Sequence, residues 1–173
     1  MNLPNKLTIL RVLLVPVFAV LYLYELYIPA LIVFIIASLT DMLDGRIARK
    51  RGLITNFGKI MDPLADKVLV YAAFCLFIQT GVMPGWMLIV ILAREFAVAG
   101  MRAVAASEGI VVAAGLSGKI KTVLQMIAVP LLIVADLHPV INIAGQVILW
   151  ASLVMTVYSG AEYIIQNKQV FAD

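Results

Sequence analysis

Residues 41–66 read DMLDGRIARKRGLITNFGKIMDPLAD, a stretch that combines four aspartates with five basic residues. The rest of the chain is strongly apolar, since 64% of its 173 residues are hydrophobic and only 13% are charged. A soluble domain is about half apolar and about a quarter charged. The composition therefore excludes an ordinary soluble domain and a disordered chain, and it predicts a membrane protein.

Six apolar stretches divide the chain, and a helix needs about 20 apolar residues to cross a bilayer. We predict an all-α integral membrane protein, a bundle of six transmembrane helices that forms a single domain over residues 1–173. Turn-forming residues mark the breaks: Gly81, Pro84, Gly109, Gly115 with Gly118, and residues 136–139. The stretches are 7–24, 27–40, 63–79, 84–104, 120–135 and 140–165. The second is short, so we expect its helix to continue beyond Thr40.

Basic residues indicate the orientation of the bundle. The connections around Glu25, Gly81 and Asp136 contain no Lys or Arg, whereas basic residues cluster in the second connection and flank the fourth. Because basic residues near helix ends stay in the cytoplasm, both termini and residues 41–66 are predicted to be cytoplasmic in a multi-pass protein of the cell membrane. The net charge of +3 reflects this topology and predicts no nucleic-acid partner.

Four carboxylates are unusual at this place in an apolar chain, because each charge inside a membrane helix costs about 2.5–3.5 kcal/mol. Asp41 and Asp44 are three positions apart, and Asp62 and Asp66 are four apart. Both spacings place two side chains on one helical face. A bend over residues 45–57 would bring the pairs together. Oxygen ligands without nearby His or Cys favour Mg²⁺ or Mn²⁺, and two such ions suit phosphoryl transfer from a diphosphate.

Other interpretations of the carboxylates remain open. Asp41 and Asp44 would pair with Arg46 and Arg49 at a helix end, and Asp62 would cap a helix that begins at Pro63. A transporter of divalent cations or protons would also use acids inside the membrane. Transporter sites lie near the midplane between repeated halves, and no repeat is visible here. A purely structural membrane protein gives no reason for the cluster.

The spacing of these residues resembles the signature of the CDP-alcohol phosphotransferases. The matching pattern is Asp41-x2-Asp44-Gly45-x2-Ala48-Arg49-x8-Gly58-x3-Asp62-x3-Asp66. The resemblance implies a six-helix membrane enzyme and homodimer that binds two divalent metal ions at the cytoplasmic face, takes CDP-diacylglycerol as donor and releases CMP. It assigns the metal to Asp41, Asp44, Asp62 and Asp66, with Asp66 also the general base. The CDP-lipid would contact Asn5, Thr8, Gly45, Ala48, Arg49, Thr55 and Gly58.

The acceptor alcohol is predicted from basic residues later in the chain. Residues 2–11, 93–102 and 118–126 resemble family members that use sn-glycerol 3-phosphate. Its phosphate would be bound by Arg94, Arg102, Lys119 and Lys121, although topology and snorkelling employ the same residue types. On one regular helix Lys119 and Lys121 diverge, so both face inward only if the helix starts between them. Another acceptor, such as phosphatidylglycerol, inositol phosphate or serine, stays open.

Three further residues receive simpler interpretations. His138 is expected in an exposed loop on the side opposite the site, and Cys75 as a small core side chain. Glu162 would pair with an arginine of the site or lie as a plain acid at the interface. None of the three is predicted to carry chemistry.

Overall fold

The computed structural model describes the backbone of residues 3–51, 56–107, 109 and 115–167, and their side chains except those of 3–6, 41–51, 56–63 and 66. Within these ranges the chain is all-helical, as predicted, and contains six long helices and one short 3₁₀ turn, Ala135–Leu137. The helices are α1 (Leu3–Leu23), α2 (Tyr27–Arg51), α3 (Asn56–Gln79), α4 (Gly85–Ser107), α5 (Leu116–Ile133) and α6 (Pro139–Gln166).

The connections at one end of the bundle are tight. Glu25 (φ 60°) turns the chain between α1 and α2, and Gly81 (φ 76°) turns it after α3. The backbone N–H groups of Val82 and Met83 then donate to the Phe77 carbonyl at 2.8 and 3.1 Å, which closes the end of α3. His138 is exposed, as predicted, and its Nδ1 accepts from the Val140 N–H at 3.2 Å to cap α6.

An aromatic cluster joins the first three helices. Phe18 of α1 packs against Phe34 of α2 with ring centroids 5.7 Å apart, and Tyr22 of α1 meets Phe77 of α3 at the same distance. The second half of the bundle is built on α6, which packs along α5 and against α4, while α5 also contacts α2 and α3. The two halves therefore share one apolar core.

The outer surface of the bundle is apolar. Large side chains such as Leu13, Ile89, Phe96 and Val147 are more than half exposed. Two helices, Leu116–Ile133 and Pro139–Gln166, are long and apolar enough to cross a membrane, and shorter apolar stretches run over Leu7–Leu23, Tyr27–Thr40 and Lys67–Gln79. So many exposed large apolar side chains on a helical bundle are typical of a membrane protein.

Several boundaries differ from the prediction. α2 does continue beyond Thr40, but it remains helical to Arg51 and α3 begins at Asn56, so the bend predicted over 45–57 was wrong for most of its length. Asp62 lies within α3, which rules out a cap at the helix start. Pro63 therefore lies inside α3, although a proline has no N–H for the helical hydrogen bond and is more typical of the first turn.

Two single residues were also misjudged. Gly118 was taken as a turn residue with Gly115, yet it lies inside α5 because that helix starts at Leu116. Cys75, predicted as a core side chain, is exposed on α3. In both cases the prediction used the environment that is most common for the residue type. The actual environment depends on where the helix starts and which of its faces is buried.

Candidate functional site

The four aspartates fall on two helices that follow each other in the chain. Positions 41 and 44 lie one turn apart on α2, and positions 62 and 66 lie one turn apart on α3. Both pairs therefore have the helical spacing that the sequence predicted. Their side chains lie outside the described residues, as do those of Asn5, Ala48 and Arg49, the surroundings of Gly45 and Gly58, and the whole of Thr55.

No cluster of three or more potential metal ligands occurs among the side chains that the structure describes. The predicted metal site falls on the aspartates outside that set, so it stays a prediction. Thr8, predicted to contact the CDP-lipid, is fully buried on α1 one turn before the fully buried Arg11. Because an arginine and a threonine are buried near the start of α1, the interior of the bundle contains polar groups at this end.

A large cavity opens among α4, α5 and α6, with a volume of about 1200 Å³. All four residues predicted to bind an acceptor phosphate border it, and Lys67 of α3 completes the basic lining. Two acids, Glu95 and Glu162, also border the cavity. The basic side chains are Lys67, Arg94, Arg102, Lys119 and Lys121. Among the side chains that the structure describes here, positive charge therefore exceeds negative charge, which suits an anionic ligand.

Both lysines at the start of α5 border the cavity, although they were expected to diverge. α5 begins at Leu116, before either lysine, so the condition set for both to face inward is not met. The cavity instead extends around the first turns of α5, from Gly115 to Val123. Lys121 is buried and Lys119 is exposed, so the two meet the same space from different sides of the helix.

Glu95 is the centre of an ion-pair cluster that joins three helices. Its Oε2 lies 3.0 Å from Lys67 Nζ of α3, and its Oε1 lies 2.8 Å from Nη1 of Arg94 on the same helix. The same Oε1 accepts a hydrogen bond from Lys121 Nζ of α5. Only 9% of the Glu95 side chain is exposed. One buried carboxylate thus holds three bases in place at the wall of the cavity.

The sequence alone predicts no role for Glu95, which lies beside Arg94. The available signal was its place near the middle of a largely apolar helix as the one acid beside two arginines, where an acid is expensive unless it is paired. Its partners Lys67 and Lys121 are 28 and 26 positions away, and their spacing follows no local period. Only the packing of α3 and α5 against α4 identifies them.

The far end of the cavity carries two further polar contacts. Arg102 Nε donates to Tyr163 Oη at 3.2 Å, and its guanidinium carbon lies 5.4 Å from the centre of that ring. Glu162 accepts hydrogen bonds from Ser117 Oγ and, at 3.2 Å, from Gln166 Nε2. Its contacts in the described part of the chain are therefore with neutral groups, and pairing with an arginine is not among them. Tyr163 and Ser117 were not predicted, because a single hydroxyl residue in an apolar helix gives no sequence signal for its contacts.

The fold and the basic cavity agree with the signature in residues 41–66, and comparison with known families identifies the class. Residues 1–158 match the sequence model of the CDP-alcohol phosphatidyltransferases, and the chain belongs to this family. It is 44% identical to the CDP-diacylglycerol–glycerol-3-phosphate 3-phosphatidyltransferase of Bacillus subtilis strain 168, over 96% of this chain and 95% of that protein.

Relatives in other bacteria extend the likeness. The protein of the same description from Rickettsia typhi is 37% identical, over 98% of this chain and 99% of its own length. A probable phosphatidylglycerophosphate synthase of Mycobacterium tuberculosis is 35% identical, over 94% of this chain and 80% of its own. The family resemblance drawn from the signature is thus confirmed over nearly the whole chain.

Proposed function

We propose that the protein transfers a phosphatidyl group from CDP-diacylglycerol to sn-glycerol 3-phosphate, giving phosphatidylglycerophosphate and CMP. The names of full-length relatives support this donor and acceptor. The observation in the structure that carries the proposal is the cavity whose described lining includes five basic side chains and two acids. An acceptor that carries its own phosphate needs such a lining, because a dianion must be held close to an anionic nucleotide.

The proposed topology is six membrane crossings with both termini and the active site in the cytoplasm. The apolar exterior supports the membrane location, and the distribution of Lys and Arg supports the orientation. The basic cavity and the four aspartate positions belong to the same end of the helices under this topology. A homodimer is proposed from the family resemblance.

Two divalent metal ions, Mg²⁺ or Mn²⁺, are proposed to bind Asp41, Asp44, Asp62 and Asp66. The described backbone fits this assignment, since each pair occupies successive turns of a continuous helix, α2 or α3. Bound metal would neutralise the diphosphate and the departing CMP. Gly45, Ala48, Arg49, Thr55 and Gly58 on the same stretch, with Asn5 and Thr8 of the N-terminal segment, would bind the CDP-lipid.

The protein's own side chains would then carry out a single displacement. Arg94, Lys121, Lys119 and Arg102 bind the phosphate of glycerol 3-phosphate and direct its primary hydroxyl toward α3. Asp66 takes the proton of that hydroxyl as general base. The hydroxyl oxygen forms a bond to the lipid-side phosphorus, the bond from this phosphorus to the CMP oxygen breaks, and CMP leaves with the electron pair. Lys67, next to Asp66 in the chain, links the base to the acceptor cavity through Glu95.

Release of CMP by purified protein in detergent, with CDP-diacylglycerol and one acceptor at a time, tests the proposal. We expect release to require glycerol 3-phosphate and to be slow with glycerol, serine, inositol phosphate or phosphatidylglycerol. The variant Asp66→Asn should insert normally and lose turnover, whereas Asp136→Asn, an exposed acid beyond α5, should retain it. Release that is independent of the acceptor, or movement of Mn²⁺ across vesicles without CMP release, would contradict the proposal.

A further inference from the structure

The side chain of Arg94 crosses from α4 into a narrow space between α5 and α6. A Cβ atom built on Gly160 of α6 would lie 3.0 Å from Arg94 Cγ, and one built on Gly118 of α5 would lie 3.2 Å from Arg94 Nη2. Ordinary van der Waals contacts of a Cβ begin near 3.4 Å. Any residue larger than glycine at either position would therefore push Arg94 away from its observed place.

The third side of this space is formed by Glu95. Its Oε1 holds Arg94 Nη1 at 2.8 Å, so one guanidinium nitrogen is directed to the carboxylate and the other toward α5. Only 14% of the Arg94 side chain is exposed, and its Nε is buried without a hydrogen-bond partner in the described part of the chain. The stem and both ends of the side chain are thus fixed by different helices.

Helical geometry does not explain these two glycines. Gly118 and Gly160 lie inside α5 and α6 and have no left-handed backbone angle, so alanine would form the helix better. A glycine in such a place is explained when another group needs the room of its missing side chain. In contrast, Gly100 of α4 would meet nothing within 4 Å if a Cβ were added.

We infer that Gly118 and Gly160 are positioning residues which, with Glu95, form a slot that aims Arg94 at the phosphate of the acceptor. This inference rests on the proposed function, because it takes the basic cavity as the acceptor site. The slot sets where the guanidinium lies, and a guanidinium misplaced by a fraction of an ångström loses the paired hydrogen bonds that distinguish arginine from a simple positive charge.

The test compares the KM for glycerol 3-phosphate with the KM for CDP-diacylglycerol in three alanine variants. Gly118→Ala and Gly160→Ala are expected to raise the KM for glycerol 3-phosphate about tenfold and to leave that for the donor within about twofold. Gly100→Ala is the matched control and should change neither. Gly145→Ala is the control for packing damage, because its Cβ would contact Leu132 and not Arg94. Its KM values show the effect of a packing defect alone.

A lysine at position 94 makes the test more specific. Lysine has no atom equivalent to Nη2, but it keeps Cγ. In an Arg94→Lys background, Gly118→Ala should therefore add no further rise in KM for glycerol 3-phosphate, whereas Gly160→Ala should still add one. A structural defect caused by either alanine would act equally in both backgrounds, so this pattern separates positioning from loss of fold.

The inference would be refuted by alanine variants with an unchanged KM for glycerol 3-phosphate. An equal rise in the KM for both substrates would also refute it. Direct binding of glycerol 3-phosphate by calorimetry, without donor, separates this result from failure of the proposed function. Wild-type protein that binds glycerol 3-phosphate, is weakened by Gly118→Ala and releases no CMP would support the slot and refute the proposed reaction. Wild-type protein that neither binds glycerol 3-phosphate nor releases CMP in its presence would refute both.

Discussion

Replacing Glu95 with glutamine removes one charge from a cluster that contains three bases. The change keeps the shape of the side chain and its capacity to accept a hydrogen bond, so the lost quantity is the negative charge. Lys121 and Arg94 would then remain close together at the cavity wall, with side chains only 4% and 14% exposed. We expect Glu95→Gln to destabilise the fold strongly.

The structure sets the expected magnitude. Removing one partner of a buried ion pair costs about 3–5 kcal/mol, because the other charge stays buried without compensation. The pair with Lys121 is of this kind. The pair with Lys67 is not, since the lysine is 44% exposed and an exposed pair contributes about 0–1 kcal/mol. Glu95→Gln should therefore lower the free energy of unfolding by about 3–5 kcal/mol, and Lys67→Gln, the matched control, by less than about 1 kcal/mol.

Unfolding in mixed micelles by added sodium dodecyl sulfate would measure both values. The chain has two tryptophans, Trp86 of α4 and Trp150 of α6, whose rings lie 5.7 Å apart. Their fluorescence reports the separation of these helices at a distance from the mutated residue. The double variant Glu95→Gln with Lys121→Met should be more stable than Glu95→Gln alone, because it also removes the orphaned charge.

An equal midpoint for Glu95→Gln and the wild-type protein would refute the reasoning, since it would mean that the carboxylate does not hold the bases. A loss as large for Lys67→Gln as for Glu95→Gln would also contradict it, because burial would then not decide the energy.

Three more outcomes follow from contacts described above. Gly145→Ala places a Cβ 2.8 Å from Leu132 Cδ2, so it should destabilise the α5–α6 contact by about 1–3 kcal/mol in the same unfolding assay, and Leu132→Ala should relieve the clash. Tyr163→Phe removes the hydroxyl that accepts from Arg102 but keeps the ring, so it should cost about 0.5–1.5 kcal/mol, while Tyr163→Leu should cost more because the ring contact is lost too. Removal of divalent metal by a chelator should abolish CMP release, and Mg²⁺ or Mn²⁺ should restore it; full activity in the chelator would refute the metal assignment.

Much of the fold follows from apolar length and turn chemistry. The six helices, the break at Gly81 and the exposed His138 were all predicted, because length, left-handed turns and helix caps are local properties. The start of α3 was placed seven residues too late, since Pro63 resembles a first-turn proline. The start of α5 was also late, because Gly118 resembles a turn residue.

The candidate site was predictable in part. The four bases expected to bind the acceptor do gather at one cavity, because charges in apolar helices have few tolerable locations. The contacts between these side chains could not be predicted. Glu95, Lys67 and Lys121 come from three helices, and Gly118 and Gly160 act through the space they leave for Arg94. Such relations depend on tertiary packing, and no period in the sequence encodes them.

The arrangement around Glu95 has a consequence for how the protein is made. Translation delivers α3 and α4 before α5, so Lys67 and Arg94 are present when Glu95 enters the bilayer, and Lys121 arrives later. The nascent chain therefore carries the acid with a partial set of counter-charges from its own and the preceding helix. Arrival of α5 supplies the buried partner Lys121, so the ion-pair cluster is complete only after α5 has been synthesised.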